Sequence, residues 1–325
     1  MITGYTAETG RLVAVPEPLG EPERVVWYDL LAPTVREERA VAAATGIEIP
    51  SREEMEEIEE SSRFYTDGEA AFLTATLPAG LELPEGATSA PVTFILSGTR
   101  LITVRHHDLQ SFRGFLPRLS RYPVPCATGD AVLMALLDAV IDRLADALEL
   151  AGQGLETQAR LVFGAKAAAA TRGGTDYQEV LTEIGHLAGV VFKVSDSLVT
   201  LERLAVFLGP VLDRLSGAKD QRRALKTLSR DTHFLTEHAS ALLQKVNFLL
   251  DATLGMVSIE QNATIKIFSV AAVVFLPPTL IASIYGMNFE HMPELAWAEG
   301  YPIALGLMAA SVVAALVFFR ARGWL

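Results

Sequence analysis

An α/β domain, a long stalk helix and two C-terminal transmembrane α-helices form the fold class that three features of the sequence predict. Residues 267–287 and 301–319 contain no Asp, Glu, Lys or Arg, giving charge-free stretches of 21 and 19 residues. A bilayer core about 30 Å thick takes about 20 helical residues, so either stretch can cross it. Ahead of them, Leu235, Leu242, Leu249 and Met256 lie seven apart, with Ala239, Val246 and Thr253 at the intervening steps. That is a heptad seam, the pattern of a helix packed on other helices. The first 125 residues instead carry short β-rich runs separated by turns.

Taken in order, residues 24–33 have a β-rich core, and 33–46 read as a short helix stopped by Gly46. Residues 50–65 begin as a helix, with Ser51 as N-cap and Glu54 three positions later, a capping box. The acids Glu53, Glu54, Glu56, Glu57, Glu59 and Glu60 read as its solvated face. Strands follow at 70–77, 90–98 and 99–107, the last two joined by a tight hairpin at Gly98-Thr99. From 130 to about 163 the apolar residues Val132, Leu133, Leu136, Leu137, Val140, Ile141, Leu144 and Leu148 share one helical face. Gly173-Gly174-Thr175-Asp176 is a turn and cap, opening a second helix that runs to Leu208 and stops at Gly209-Pro210. A third helix starts near Lys219 and meets no Gly-Pro break, so one helix is expected from about 220 to 285, entering the membrane near Lys266.

Composition narrows the function. The chain has 325 residues, half of them apolar, and a mean hydropathy of +0.30. Its formal charge is −12, a poor balance for nucleic-acid binding, which leans on Lys and Arg at phosphates. Residues 266–325 are neutral overall, so the excess lies in residues 1–265, with 36 acids against 24 bases. The single cysteine, Cys126, excludes an internal disulfide and any paired-cysteine metal motif. The first thirty residues show no signal-peptide pattern.

Charge also orients the spans. Lys266 precedes the first, Arg320 and Arg322 follow the second, and the connecting loop 288–300 has three Glu and no base. The positive-inside rule places both termini in the cytoplasm and the loop outside, in the periplasm. Trp297, Tyr301 and Trp324 stand where interfacial aromatics belong.

Within the first span, Asn262, Ser269, Ala272, Leu276, Thr279 and Ser283 recur along one stripe. Small residues in such a stripe serve close helix packing, and they can equally line a narrow pore. Pro277-Pro278 bends the helix and frees backbone carbonyls, either as a simple kink or as part of a water-filled path. After the span, Asn288 offers a neutral acceptor oxygen at the outer mouth, a fit for the tightly held water shell of Mg²⁺. Other candidates read as structure: His106-His107-Asp108 as the polar end of a strand, and Gly152-x-Gly154 as part of a helix. No nucleophile–base arrangement or P-loop is present, so an enzyme is not expected.

The run from Gln244 through Tyr285-Gly286-Met287-Asn288-Phe289 to Met292-Pro293-Glu294-Leu295, with the Trp27–Pro33 and Glu56–Tyr65 segments and the C-terminal Arg-Gly-Trp-Leu, resembles the CorA family of divalent-cation transporters. The likeness extends over essentially the whole chain. It implies a homopentameric funnel whose stalk helix continues into the pore-lining span, with the second span around it. Gly286, Met287 and Asn288 match the family's Gly-Met-Asn filter. Thr279, Leu276, Phe268 and Ile265 match pore-facing positions, Asn262 the inner mouth, and Lys266 the basic residue at the membrane boundary. Ile265 replaces a frequent Met, Ser269 a frequent Thr, and His291 a frequent aromatic.

The division is then a cytosolic α/β domain at 1–125, a cytosolic helical region at 126–218, and a stalk continuous with the first span at 219–285. The outer loop is 286–300, the second span 301–320 and the cytosolic tail 321–325. The expected function is channel-like Mg²⁺ influx, with Co²⁺ and Ni²⁺ as further substrates, across a bacterial inner membrane. No cofactor is implied; Mg²⁺ is substrate and regulatory ligand, with Asp231 as the candidate sensor. A zinc transporter of the same superfamily and a membrane-tethered metal sensor are the rivals, though Met287 argues against the first and the loop motif against the second.

Overall fold

The computed structural model describes all residues except 9–10, 81–87, 122–125, 169–175, 216–218, 289–291, 294–296 and 325. His291 and the Gly173–Thr175 turn therefore lie outside the described residues. The chain divides into two units, Met1–Leu250 and Asp251–Leu325.

The first unit is built on a seven-stranded sheet. Its strands are β1 (Ile2–Glu8), β2 (Arg11–Val15), β3 (Trp27–Leu31), β4 (Phe64–Asp67), β5 (Ala70–Ala79), β6 (Thr88–Ser97) and β7 (Arg100–Arg105). Their order is β2-β1-β3-β7-β6-β5-β4. Only β3 and β7 pair in parallel; the other five pairings are antiparallel. Ser97 faces Arg100 in the ladder, which leaves Gly98-Thr99 as the expected two-residue turn, with Gly98 at φ 56°.

Period-two alternation sends the two faces of each strand to different layers. Tyr28, Leu30, Ile95, Ile102 and Val104 join a core with Val41 and Met55. Those last two come from α1 (Val35–Thr45) and α2 (Arg52–Glu56). Gly46 ends α1 in the left-handed region, as expected, at φ 73°. The Ser51–Glu54 capping box is formed, with Ser51 N donating to Glu54 Oε2 at 2.7 Å. The helix it opens is much shorter than 50–65, however. It stops at Glu56, a single turn α3 (Glu60–Arg63) follows, and Phe64 and Tyr65 enter β4. Met55 alone is buried in α2, and an acid-rich run with one inward residue per turn has too little apolar surface to hold a longer helix.

Opposite lie α4 (Gln110–Arg121), α5 (Gly129–Ala168) and α6 (Tyr177–Arg214). Trp27 meets Phe115 of α4 edge-on at 5.6 Å, and Phe94 stacks near Phe112 at 6.4 Å. All eight apolar residues assigned to the inner face of α5 are buried. Thr200 of α6 binds an open stretch of β5: its Oγ1 accepts from Thr76 N at 3.1 Å and donates to Thr76 O at 3.3 Å.

The helix α6 does not stop at Gly209-Pro210 but passes through to Arg214. Pro210 removes one hydrogen bond, to the carbonyl of Val206, and Val206 is exposed, where water can take the vacated acceptor. Leu208 and Leu212 stay buried on either side, so packing outweighs the lost bond.

The last long element, α7 (Lys219–Tyr285), is one helix of 67 residues. In the first unit its seam residues Leu235, Ala239, Leu242, Val246 and Leu249 are buried. Leu242 packs against Gly152, Phe248 stacks on Phe163 at 5.8 Å, and Lys245 Nζ bonds Glu156 at 2.6 Å. The second unit holds the rest of α7 and α8 (Gly300–Ala321).

Candidate ion path and its membrane unit

Among the described residues, three helices are long and apolar enough to cross a membrane: α6, α7 and α8. Half of the apolar stretch of α6 is buried inside its own unit, and it is a core helix there. The corresponding stretch of α7 has no buried residue at all. Ile265, Phe268, Leu276 and Leu280 are exposed side chains on it, as are Ile303, Val313 and Val317 on α8. Surfaces of this kind are stable only against lipid or other protein.

Helical geometry sorts the side chains of α7. At about 100° per residue, Asn262, Ile265, Phe268, Ser269, Ala272, Leu276, Thr279 and Ser283 fall within an arc of about 120°. All are exposed except Ser269, which is half-buried. Ala272, Leu276, Thr279 and Ser283 line a shallow depression together with Phe275 and Leu280. The other half-buried positions, Val270, Val274, Pro277, Pro278, Ile281 and Tyr285, occupy the opposite arc. On α8 the covered positions are Ala304, Met308, Ser311, Val312, Ala315 and Phe319, again one stripe. The polar and small stripe of α7 is therefore not the side that its own unit covers.

Both prolines lie on that covered side, and α7 remains helical through them. They free the carbonyls of Val273 and Val274. The next carbonyl, of Phe275, accepts an additional bond from Thr279 Oγ1 at 2.7 Å, which turns the Thr279 hydroxyl back onto the helix.

At the outer end, α7 closes at Gly286. Its N–H reaches Ala282 O at 2.9 Å, and Met287 N reaches Ile284 O at 3.2 Å in a tightened last turn. A Cβ on Gly286 would stand 3.1 Å from the Ala282 carbonyl oxygen, so the turn favours glycine. Asn288 follows, exposed, and among the described residues its carboxamide makes no hydrogen bond. At the other end Lys266 Nζ lies 5.8 Å from the ring of Trp324. The start of one charge-free stretch and the finish of the other thus meet at one level, and the two helices run antiparallel.

The candidate sensor Asp231 is exposed on α7 in the first unit. Sequence reading missed its neighbours, because they are far away along the chain. Asp138 and Asp142, one helical turn apart on α5, both bond Arg118 of α4; the Asp138 contact is 2.8 Å. Desolvation and then repulsion from Asp142 raise the Asp138 carboxyl above the usual range; Arg118 opposes this and Asp231 adds to it. Among the described residues, no group of three or more His, Cys, Asp or Glu side chains converges to hold a metal ion.

Residues 22–321 match the family described as CorA-like Mg²⁺ transporter protein. The chain belongs to that family. Relatives within it include the magnesium transport protein CorA of Escherichia coli strain K12, 34% identical over 326 residues and all of both chains. The Pasteurella multocida protein of the same name is also 34% identical over the full lengths. Among solved structures, the complete CorA magnesium transporter of Methanocaldococcus jannaschii superposes with a TM-score of 0.76 at 18% identity, covering 100% of this chain and 99% of that one. The ZntB cytoplasmic domain of Vibrio parahaemolyticus gives 0.55 at 9% identity, over 79% of this chain and 97% of that domain. These likenesses establish the family's fold: an α/β unit, a long helix and C-terminal apolar helices.

Proposed function

We propose that this chain is a channel-like transporter that carries Mg²⁺, and with it Co²⁺ and Ni²⁺, into the cell. The observation that carries this reading is the end-to-end match to magnesium transport protein CorA of Escherichia coli. The uncovered stripe of α7 supports it, since a stripe turned away from its own unit is free to line a path between copies. In this reading five copies assemble, and Asn262, Ile265, Phe268, Leu276 and Thr279 face the axis. Gly286, Met287 and Asn288 form the outer filter, where Asn288 oxygens touch the hydrated ion without stripping it. Lys266 marks the cytosolic boundary, both termini lie in the cytoplasm, and the membrane is the bacterial inner one.

No ATP is required. One charge crossing 100 mV gains about 2.3 kcal/mol, so a divalent ion gains about 4.6 with the inside negative. Such a conduit needs closure, which we assign to cytosolic Mg²⁺ bound at Asp231. With no convergent three-ligand group among the described residues of one copy, that site would be shared between copies and bound through water.

Purified protein in liposomes tests the reading directly. Inward Mg²⁺ flux that grows with an inside-negative potential is expected. Zn²⁺ flux without Mg²⁺ flux would assign the chain to zinc, and no flux of either ion would leave only a tethered sensor.

A further inference from the structure

Lys266, Arg320 and Arg322 stand at one end of the membrane unit, and no ion pair to a carboxylate is seen for them among the described residues. Lys266 Nζ stands over the ring of Trp324, 5.8 Å from its centre. The Arg322 guanidinium stands 5.6 Å over Phe318, and Arg320 is two residues away. Trp324 is itself stacked at 5.6 Å on the buried ring of Phe319, which holds the platform in place. Among the described residues none of the three cations has an ion-pair partner, in a chain with 39 acids and 27 bases.

Helical geometry keeps the nearest acids of α7 and α8 away from these cations. Glu260, the acid closest to Lys266 along α7, lies six residues back, about 9 Å along the axis and about 240° around it. Glu299, the acid closest before Arg320, precedes the far end of α8. Aromatic faces orient the cations but supply no net negative charge. The three cations sit where a charge-free stretch meets the aqueous side. That is the depth of lipid phosphates, and clustered Lys and Arg beside a span attract anionic headgroups.

We propose that Lys266, Arg320 and Arg322, with Trp324 as platform, bind the phosphate of an anionic glycerophospholipid in the leaflet on the side of the chain's C-terminus. The site rests on the membrane-spanning reading of α7 and α8, and not on which ion is transported.

Native mass spectrometry of the full-length protein in detergent tests it, with phosphatidylglycerol and phosphatidylcholine supplied at equal concentration. Retention of phosphatidylglycerol about tenfold or more above phosphatidylcholine is expected, equivalent to about 1.4 kcal/mol. Lys266→Gln with Arg322→Gln should bring the two lipids to parity, while Lys266→Arg with Arg322→Lys, which keeps charge and fold, should preserve the preference. Equal retention of both lipids by the unaltered protein, or an unchanged preference in the charge-removed variant, would overturn the site. Displacement of the lipid by millimolar inorganic phosphate would overturn the lipid as its source. Recovery of the chain in the soluble fraction without detergent would remove the membrane reading itself, before any lipid is measured.

Discussion

Arg105 grips Asp29 at two points: Nε meets Oδ1 at 3.1 Å and Nη2 meets Oδ2 at 2.8 Å, both side chains being buried. The pair joins the two parallel strands at the centre of the sheet. Thr103 Oγ1 adds a third bond to Asp29 Oδ1 at 2.8 Å, and Trp27 Nε1 donates to that Thr103 oxygen at 3.0 Å. Asp29 thus accepts three bonds, while the remaining guanidinium nitrogen of Arg105, Nη1, reaches His107 O at 3.0 Å and the half-exposed Asp108 carboxylate at 3.4 Å. Removing one partner of a buried pair costs about 3–5 kcal/mol when the other charge is left uncompensated; here the longer contact to Asp108 offsets only part of that loss. Asp29→Ala should therefore lower the unfolding temperature of the detergent-solubilised protein far more than Arg52→Ala, which breaks the exposed pair to Glu56. Equal shifts for the two variants would show that the sheet centre does not depend on this contact.

Asn288 sits just beyond the last turn of α7, with an amide that the described residues leave unengaged. If that amide holds the hydrated ion, Asn288→Ala should abolish Mg²⁺ uptake into liposomes. It should leave the assembly unchanged in size-exclusion chromatography, because no bond of the fold is lost. Near-normal uptake by a correctly assembled variant would show that the filter lies elsewhere.

Leu276 and Ile265 are both exposed on the uncovered arc, 11 residues apart, which is about 16 Å along the helix. An apolar ring at such a position can close a pore by shedding its water. Leu276→Asn should raise Mg²⁺ leak into liposomes that hold high internal Mg²⁺. Flux unchanged at both high and low internal Mg²⁺ would place Leu276 against lipid or another helix.

Periodicity made the long helices legible. The heptad seam of α7 and the inner face of α5 each rest on many apolar residues, so one local breaker cannot overrule them. The same logic explains the error at Pro210, where continued burial at Leu208 and Leu212 outweighed a single lost bond. Short elements carried less signal. The strands β1 and β2 are only partly buried, with Gly4 the one buried residue among their described positions, so their alternation is faint. The helix α4 was legible in principle, since Phe112, Phe115 and Leu119 follow helical spacing, but Pro117 masks it. In the candidate site, the stripe of α7 could be read from spacing alone, whereas the meeting of Arg118, Asp138 and Asp142 depends on tertiary packing between α4 and α5.

The last prediction concerns closure. The excess of acids in residues 1–265 repels itself within one chain, and five copies in a ring would multiply that repulsion. The field is uneven. Burial first, and then repulsion from Asp142, raise the Asp138 carboxyl above its ordinary range even with Arg118 beside it, and Asp231 adds to the repulsion. A divalent ion near Asp231 would relieve two negative charges at once, where Na⁺ relieves one. Because Mg²⁺ keeps several waters and binds through one or two carboxylates, a shared site between copies suits it better than a dedicated cage. Limited proteolysis of the purified assembly should therefore be slower with Mg²⁺ than with Na⁺ at the same ionic strength, and fastest with chelator. Asp231→Asn should lose the advantage of Mg²⁺ over Na⁺ while remaining assembled. Equal protection by the two ions would reduce the effect to general screening. Retention of the full Mg²⁺ advantage in Asp231→Asn would place the sensor at other carboxylates.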